Sequence, residues 1–203
     1  YIEEAKKILV NARMAENQKA FLYAKEIGYQ CLEINGERAL MTPWPRATSF
    51  DHVLNNSRAS YFAGALLISS GVLVEQLTRF FASKKWNGNG LLEMLGAFNS
   101  SPEMFMIRLL NIIPKYFGLS GMFFMRYDHK TAEDETILKK QLHLSRSRNP
   151  ENISLLREHC KAWSQDAIFP NIGTEPKAHC HRFTTESGES FSVMALSRPM
   201  KRN

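Results

Sequence analysis

Lys25, Glu26 and Tyr29 lie in residues 21–32, Phe-Leu-Tyr-Ala-Lys-Glu-Ile-Gly-Tyr-Gln-Cys-Leu, where a carboxylate falls between two positions one helical turn apart. Residues four apart share a helix face, which is how zinc peptidases hold one ion between two histidines with a glutamate beside it as the base. Here Lys25 and Tyr29 stand where the imidazoles would be. An ammonium and a phenol cannot replace neutral nitrogens at about 2.0–2.1 Å from Zn²⁺. The frame therefore points to binding in place of metal-assisted hydrolysis. An amphipathic helix with one glutamate is the plainer reading of the same residues.

Other candidate groups are weaker. His159, Cys160, His179, Cys180 and His181 could present metal ligands. Zinc sites usually draw on ligands two to five residues apart, however, and neighbours such as His179 and Cys180 cannot easily reach one ion. The three cysteines fall short of the four thiolates an iron–sulfur cluster generally needs. Asn87-Gly88-Asn89-Gly90 could cradle a phosphate in backbone N–H groups, but it lacks P-loop spacing and reads as a turn. Asp51-His52 has no nucleophile motif beside it, and helix capping by Ser49 or Asp51 accounts for it. The dense basic stretch at residues 139–148 is either a strand edge protected by charge or a clamp for ligand phosphates.

These residues need elements to position them. Ile8, Leu9, Ala12, Phe21, Leu22, Ile27 and Leu32 follow helical spacing and predict the helical region that carries Glu26. Asn35-Gly36 predicts a tight turn and Thr42-Pro43-Trp44-Pro45 a stiff extended loop. A partner helix is expected over residues 57–81. Ser101-Pro102-Glu103 starts another, whose Met104, Phe105, Met106, Ile107, Leu109 and Leu110 are too apolar for a DNA-recognition helix. After Gly118 the pattern becomes strand-like at residues 122–127 and 142–144, with a hairpin joining residues 181–185 to 191–196. A helix is expected over Pro150–Trp163.

Composition sets the class. A chain of 203 residues, 44% hydrophobic and 11% aromatic, has core enough for one or two domains and is not a disordered chain. An odd number of widely separated cysteines argues against a disulfide framework and fits a reducing cytosol. The longest apolar run, residues 61–74, is interrupted by Gly64 and Ser69-Ser70-Gly71 and is shorter than the roughly 20 residues a membrane span needs. No secretory leader is visible, and the absence of an initiator Met suggests a piece of a longer chain. The net charge of +6 is spread too thinly to mark a nucleic-acid face by itself.

Residues 56–68, Asn-Ser-Arg-Ala-Ser-Tyr-Phe-Ala-Gly-Ala-Leu-Leu-Ile, resemble the Glu-x-x-Ala-Asn-x-Phe-Ala-x-x-Leu-Leu-Met-Pro helix of the ImmA/IrrE family. That family's Glu is its third metal ligand, and Asn56 stands at its place. Leu91, Leu92, Phe98, Ser101-Pro102-Glu103, Met106 and Arg108-Leu109 resemble the family's next helical segment. Phe123-Phe124-Met125-Arg126-Tyr127-Asp128 is similar to a Phe-Phe-x-Leu-Arg-x-Asp strand of bacterial regulators that join an XRE-type helix-turn-helix to an ImmA-like region, short-chain fatty acyl regulators among them. Cys160-Lys161-Ala162-Trp163 resembles their Cys-Pro-Leu-Trp, and residues 188–198 their closing strand. The likeness runs from about residue 15 to residue 199.

The resemblance implies an α+β chain: a degenerate zincin-like region over residues 1–86, a helical segment like a helix-turn-helix over 87–118, and a small GAF-like α/β sensor domain over 119–203. It also implies a cytoplasmic, non-enzymatic effector-sensing part of a transcription regulator, a homodimer without membrane contact, reaching DNA through a helix-turn-helix outside this chain. A fatty acid or acyl-CoA is the implied ligand, and no metal or other cofactor is expected. Lys25, Glu26, Tyr29 and Asn56 are the expected polar groups of its pocket, Trp44 and Tyr61 line the same cavity, and Arg126 or the basic stretch meets an acyl-CoA phosphate. Inert polar residues account for the first set equally well. An active metallopeptidase recruiting His52 or His129, and an adaptor or dimerisation module with no ligand, are the rival classes.

Overall fold

The computed structural model describes residues 7–34, 49–130, 133, 135–144, 150–186 and 188–199. It is an α+β structure in which five helices precede two antiparallel strands, a sixth helix and a closing hairpin. The first helix, α1, spans Glu16–Cys31 and starts later than the apolar spacing predicts. Asn11 is the reason: its side chain accepts from the Arg13 N–H at 2.9 Å and its carbonyl from the Met14 N–H at 3.0 Å, a local turn that competes with helix over Ile8, Leu9 and Ala12.

The expected partner helix over 57–81 is two helices, α2 (Phe50–Leu67) and α3 (Ser70–Ala82), bent by 72°. Ser49 caps α2 by accepting from the His52 N–H at 3.2 Å. At the break Ile68 is extended and fully buried, and Arg108 donates from Nε to the Ile68 carbonyl at 3.2 Å. A buried guanidinium thus satisfies a carbonyl that a continuous helix would have bonded. Among the described residues no single helix is long and apolar enough to cross a membrane. The bent α2–α3 pair passes that test only when its two helices are taken together.

Asn87-Gly88-Asn89-Gly90 is not a free turn but the start of α4 (Gly88–Ala97), with the Asn87 side chain accepting from the Gly90 N–H at 2.9 Å. Helix α5 (Pro102–Phe117) begins as its sequence predicts, with Ser101 as cap and Pro102 in the first turn, and ends at Gly118 with φ of 69°. Its Met104, Phe105, Leu109 and Ile113 are buried against Ile68, Leu73, Leu77 and Leu91 in the main core.

Strands β1 (Met122–Lys130) and β2 (Glu135–Leu144) pair antiparallel with a bulge between Arg126 and Tyr127. The predicted helix α6 (Pro150–Trp163) is present and runs on into a π-helical turn, Ser164–Ile168. The predicted hairpin is also present as β3 (Lys177–Thr184) and β4 (Ser190–Ser197). Among the described residues the four strands form two separate two-stranded sheets. Ala178 and Leu196 at one end of the hairpin pack on the helical core, while Phe183, Phe191 and Val193 share a second cluster with Leu156, Cys160 and Trp163 of α6.

Helices α1 and α2 are in close contact at Gly28. A Cβ there would lie 3.0 Å from Cδ1 and 3.1 Å from Cβ of Phe62, and 3.2 Å from the Ala59 carbonyl oxygen. At Gly64 of α2 a Cβ would meet nothing within 4 Å. Gly28→Val is therefore expected to destabilise the protein by about 1–3 kcal/mol through overpacking. Gly64→Ala should stabilise it by about 0.5–1 kcal/mol through helix propensity. Chemical unfolding of both variants checks the contrast.

Candidate functional site

The apolar spacing of α1 turns Leu22, Ala24 and Tyr29 inward, and it carries Lys25 and Glu26 in with them. Lys25, Glu26 and Tyr29 are 2%, 3% and 1% exposed, an unusual density of polar groups for one helix interior. The Lys25 ammonium donates to Oδ1 of Asn56 on α2. Glu26 accepts from Gln30 Nε2 at 2.9 Å. The close contact at Gly28 brings α1 against α2, and Lys25 and Asn56 bond directly across the two helices.

Burial, helped by the positive charge of Lys140, pushes the Lys25 amine down to about 8. Lys140 therefore belongs to the same neighbourhood, although it comes from β2. Its ammonium is 2.9 Å from Oε1 of Glu103, and Arg126 of β1 reaches Oε2 of the same carboxylate at 2.7 Å. Arg126 and Lys140 are cross-strand partners beside the bulge, a like-charge pair that is unfavourable by itself. Glu103 resolves the conflict by accepting from both. Burial works to raise its pKa, but hydrogen bonds and charge from Lys140 and Arg126 outweigh this and hold the carboxyl below its ordinary range. Asp128 adds a second, longer contact to Arg126 at 3.4 Å.

The remaining candidates lie elsewhere. Tyr61 is 57% exposed, with the Arg108 guanidinium 5.7 Å from its ring centre, so it covers the buried arginine. Trp44, the turn at Asn35-Gly36 and residues 145–148 of the basic stretch lie outside the described residues. Glu103 and Arg108 are the functional-looking residues that sequence reasoning did not select. A single arginine inside the apolar run of α5 is a signal for Arg108, whereas Glu103 reads only as an ordinary first-turn acid.

The histidines and cysteines divide into different environments. His159 Nε2 is 3.1 Å from His181 Nε2, and His179 pairs with Ser197 Oγ at 2.8 Å. Cys160 is buried, which pushes its thiol up to about 11, and Cys180 is exposed. His129 stacks on Phe169 and contacts Thr136, while His52 sits in the first turn of α2. Among the described residues no group of three or more His, Cys, Asp and Glu side chains is placed to hold a metal ion.

The arrangement offers two kinds of chemistry. A desolvated amine near neutrality is a base or nucleophile when uncharged and an anion partner when charged. Lys140 and Arg126 present a carboxylate-sized site already filled by Glu103. The Lys25 shift also fixes a pH dependence. An unfolded lysine titrates near 10.4, so between about pH 8 and that value the unfolded chain binds more protons and stability rises with pH. Urea unfolding at pH 8 and pH 10 should show a rise of about 2 kcal/mol that Lys25→Met abolishes. Comparison of the chain with protein-family models, with curated proteins and with solved structures finds no match.

Proposed function

We propose that this chain is the effector-sensing part of a bacterial transcription regulator, built on a peptidase-like helix that no longer hydrolyses, and that it takes a fatty acid or acyl-CoA. The observation that carries the reading is the convergence of Lys25 and Asn56, the residues at two lost metal-ligand positions, with the cations Lys140 and Arg126 gathered close by on Glu103. Buried and perturbed charges cluster at functional sites more often than chance. Flexible Met and aromatic side chains, nine Met and thirteen Phe in the whole chain, suit an adaptable apolar ligand. The strand, strand, helix, hairpin order after Gly118 supports the GAF-like reading of that region, and the apolar face of α5 supports placing DNA recognition in a linked helix-turn-helix outside this chain.

In this mechanism the ligand's carboxylate or phosphate exchanges with Glu103 on Lys140 and Arg126. Displacing Glu103 loosens the tie between α5 and the β1–β2 sheet, so the bound and free states differ in a contact the ligand itself replaces. Only such a differential interaction can shift two arrangements of linked DNA-binding domains. A homodimer in the cytosol is part of the same proposal.

Thermal unfolding with a panel of acyl-CoAs and free fatty acids tests it. A ligand present at about 100 times its dissociation constant adds about 2.7 kcal/mol of stability. Glu103→Gln, which removes the competing charge, is expected to tighten binding several-fold, and Lys140→Met to weaken it. No stabilisation by any acyl compound, or equal affinity in both variants, would contradict the proposal.

A further inference from the structure

The contact between His159 and His181 is geometrically specific. The ring planes are 10° from parallel, and the 5.3 Å between ring centres is close to the largest value a 3.1 Å contact allows, the contact plus one ring radius at each end. The two Nε2 atoms therefore point at each other along the line between the rings. Two facing lone pairs repel and two facing N–H groups repel, so the contact is stable only with one proton between them. Phe183 covers His159 at 3.6 Å and Trp163 stacks on His181 at 5.0 Å, so neither ring can swing aside without breaking its stack. His159 belongs to α6 and His181 to β3, so this bond joins the helix to the closing hairpin.

We propose that His159 and His181 share a single proton between their Nε2 atoms, and that this proton is a latch which fastens α6 to the β3–β4 hairpin and opens on acidification. The protons balance as follows. In the neutral pair one ring carries its proton on Nε2 and donates, while the other carries it on Nδ1 and accepts. A first added proton goes to the outer Nδ1 of the donor and leaves a charge-assisted bond. A second must land on the accepting Nε2, which places two N–H groups and two positive charges face to face and ends the contact. Burial and the neighbouring His181 charge both hold the His159 pKa below the ordinary value, in keeping with the resistance of the pair to full protonation.

The other titratable groups on the packed elements do not supply the same switch. On α6, Cys160 is held protonated by burial, and Arg157 and Glu158 contact each other at 3.3 Å. On β1, Tyr127 is held neutral by burial and donates to the Arg157 carbonyl at 3.0 Å. Strand β4 carries no titratable side chain. On β3, Cys180 is exposed and His179 pairs with Ser197, and on β2 His143 lies opposite Phe123, so His179 and His143 are further imidazoles near the cluster.

Histidine-ring ¹⁵N NMR of the whole chain, with amide exchange of α6 followed from pH 7 to pH 5, tests the latch. At pH 7 the spectrum should show one slowly exchanging Nε2–H with a coupling across the hydrogen bond to the other Nε2. Protection factors over α6 should fall on acidification by up to about tenfold per pH unit for each proton taken up. In His159→Gln and His181→Gln the acid-dependent fall should shrink, while His179→Gln should retain it. Reading the pH dependence keeps the test valid even where a variant is less stable overall. Absence of the coupling, a metal ion in place of the proton, or α6 protection that is flat with pH would each overturn the proposal.

Discussion

One carboxylate ties the helices to the first two strands. Glu103 lies in the first turn of α5, where the helix dipole favours negative charge, and accepts from Arg126 of β1 and Lys140 of β2. Those two cations are opposite one another in the sheet, and Lys140 also repels Lys25 on α1. Without Glu103 the Arg126 and Lys140 charges would face each other across the strand pair with no carboxylate between them. The sheet could then not rest on the helices at this point. The bulge between Arg126 and Tyr127 gives the strand its extra twist at the residue that must reach the carboxylate.

A buried charge, Arg108, organises the helical half in a different way. The bend between α2 and α3 frees the Ile68 carbonyl in the main core, and Arg108 fills that vacancy from α5. The break lets α3 fold back over α5 while α2 stays against α1, where Gly28 permits close contact. Lys25 can then span the α1–α2 boundary to Asn56. Each half thus uses one charged side chain to satisfy groups that the other elements leave exposed to a low dielectric.

Much of the fold was legible because its signals are local. Ser101-Pro102 marks the start of α5, Pro150–Trp163 is a complete helical segment, and the hairpin closes around Gly188 with φ of 84°. The failures are also local in origin but decided by tertiary packing. Residues 57–81 look like one helix, since only the burial of Ile68 and the reach of Arg108 make the break stable. The span at Ile8, Leu9 and Ala12 has helical spacing, yet Asn11 accepts from the Arg13 and Met14 N–H groups and the local turn wins. Lys25 and Asn56 were each legible as polar candidates on two helices, whereas their direct bond was not, since it depends on how α1 packs against α2. Glu103 was not, since its partners lie 23 and 37 residues away and no periodicity connects them.

The most direct test of this account is a double-mutant cycle between Glu103 and Lys140, read as unfolding free energy at pH 7. Glu103→Gln, Lys140→Met and the double variant isolate the coupling of a half-buried pair held within a three-charge group. The account predicts a coupling of about 1 kcal/mol or more, above the 0.2–1 kcal/mol usual for exposed pairs. Additive effects of the two substitutions would show that Glu103 does not join the sheet to the helices, and would remove the basis for a ligand that works by displacing it.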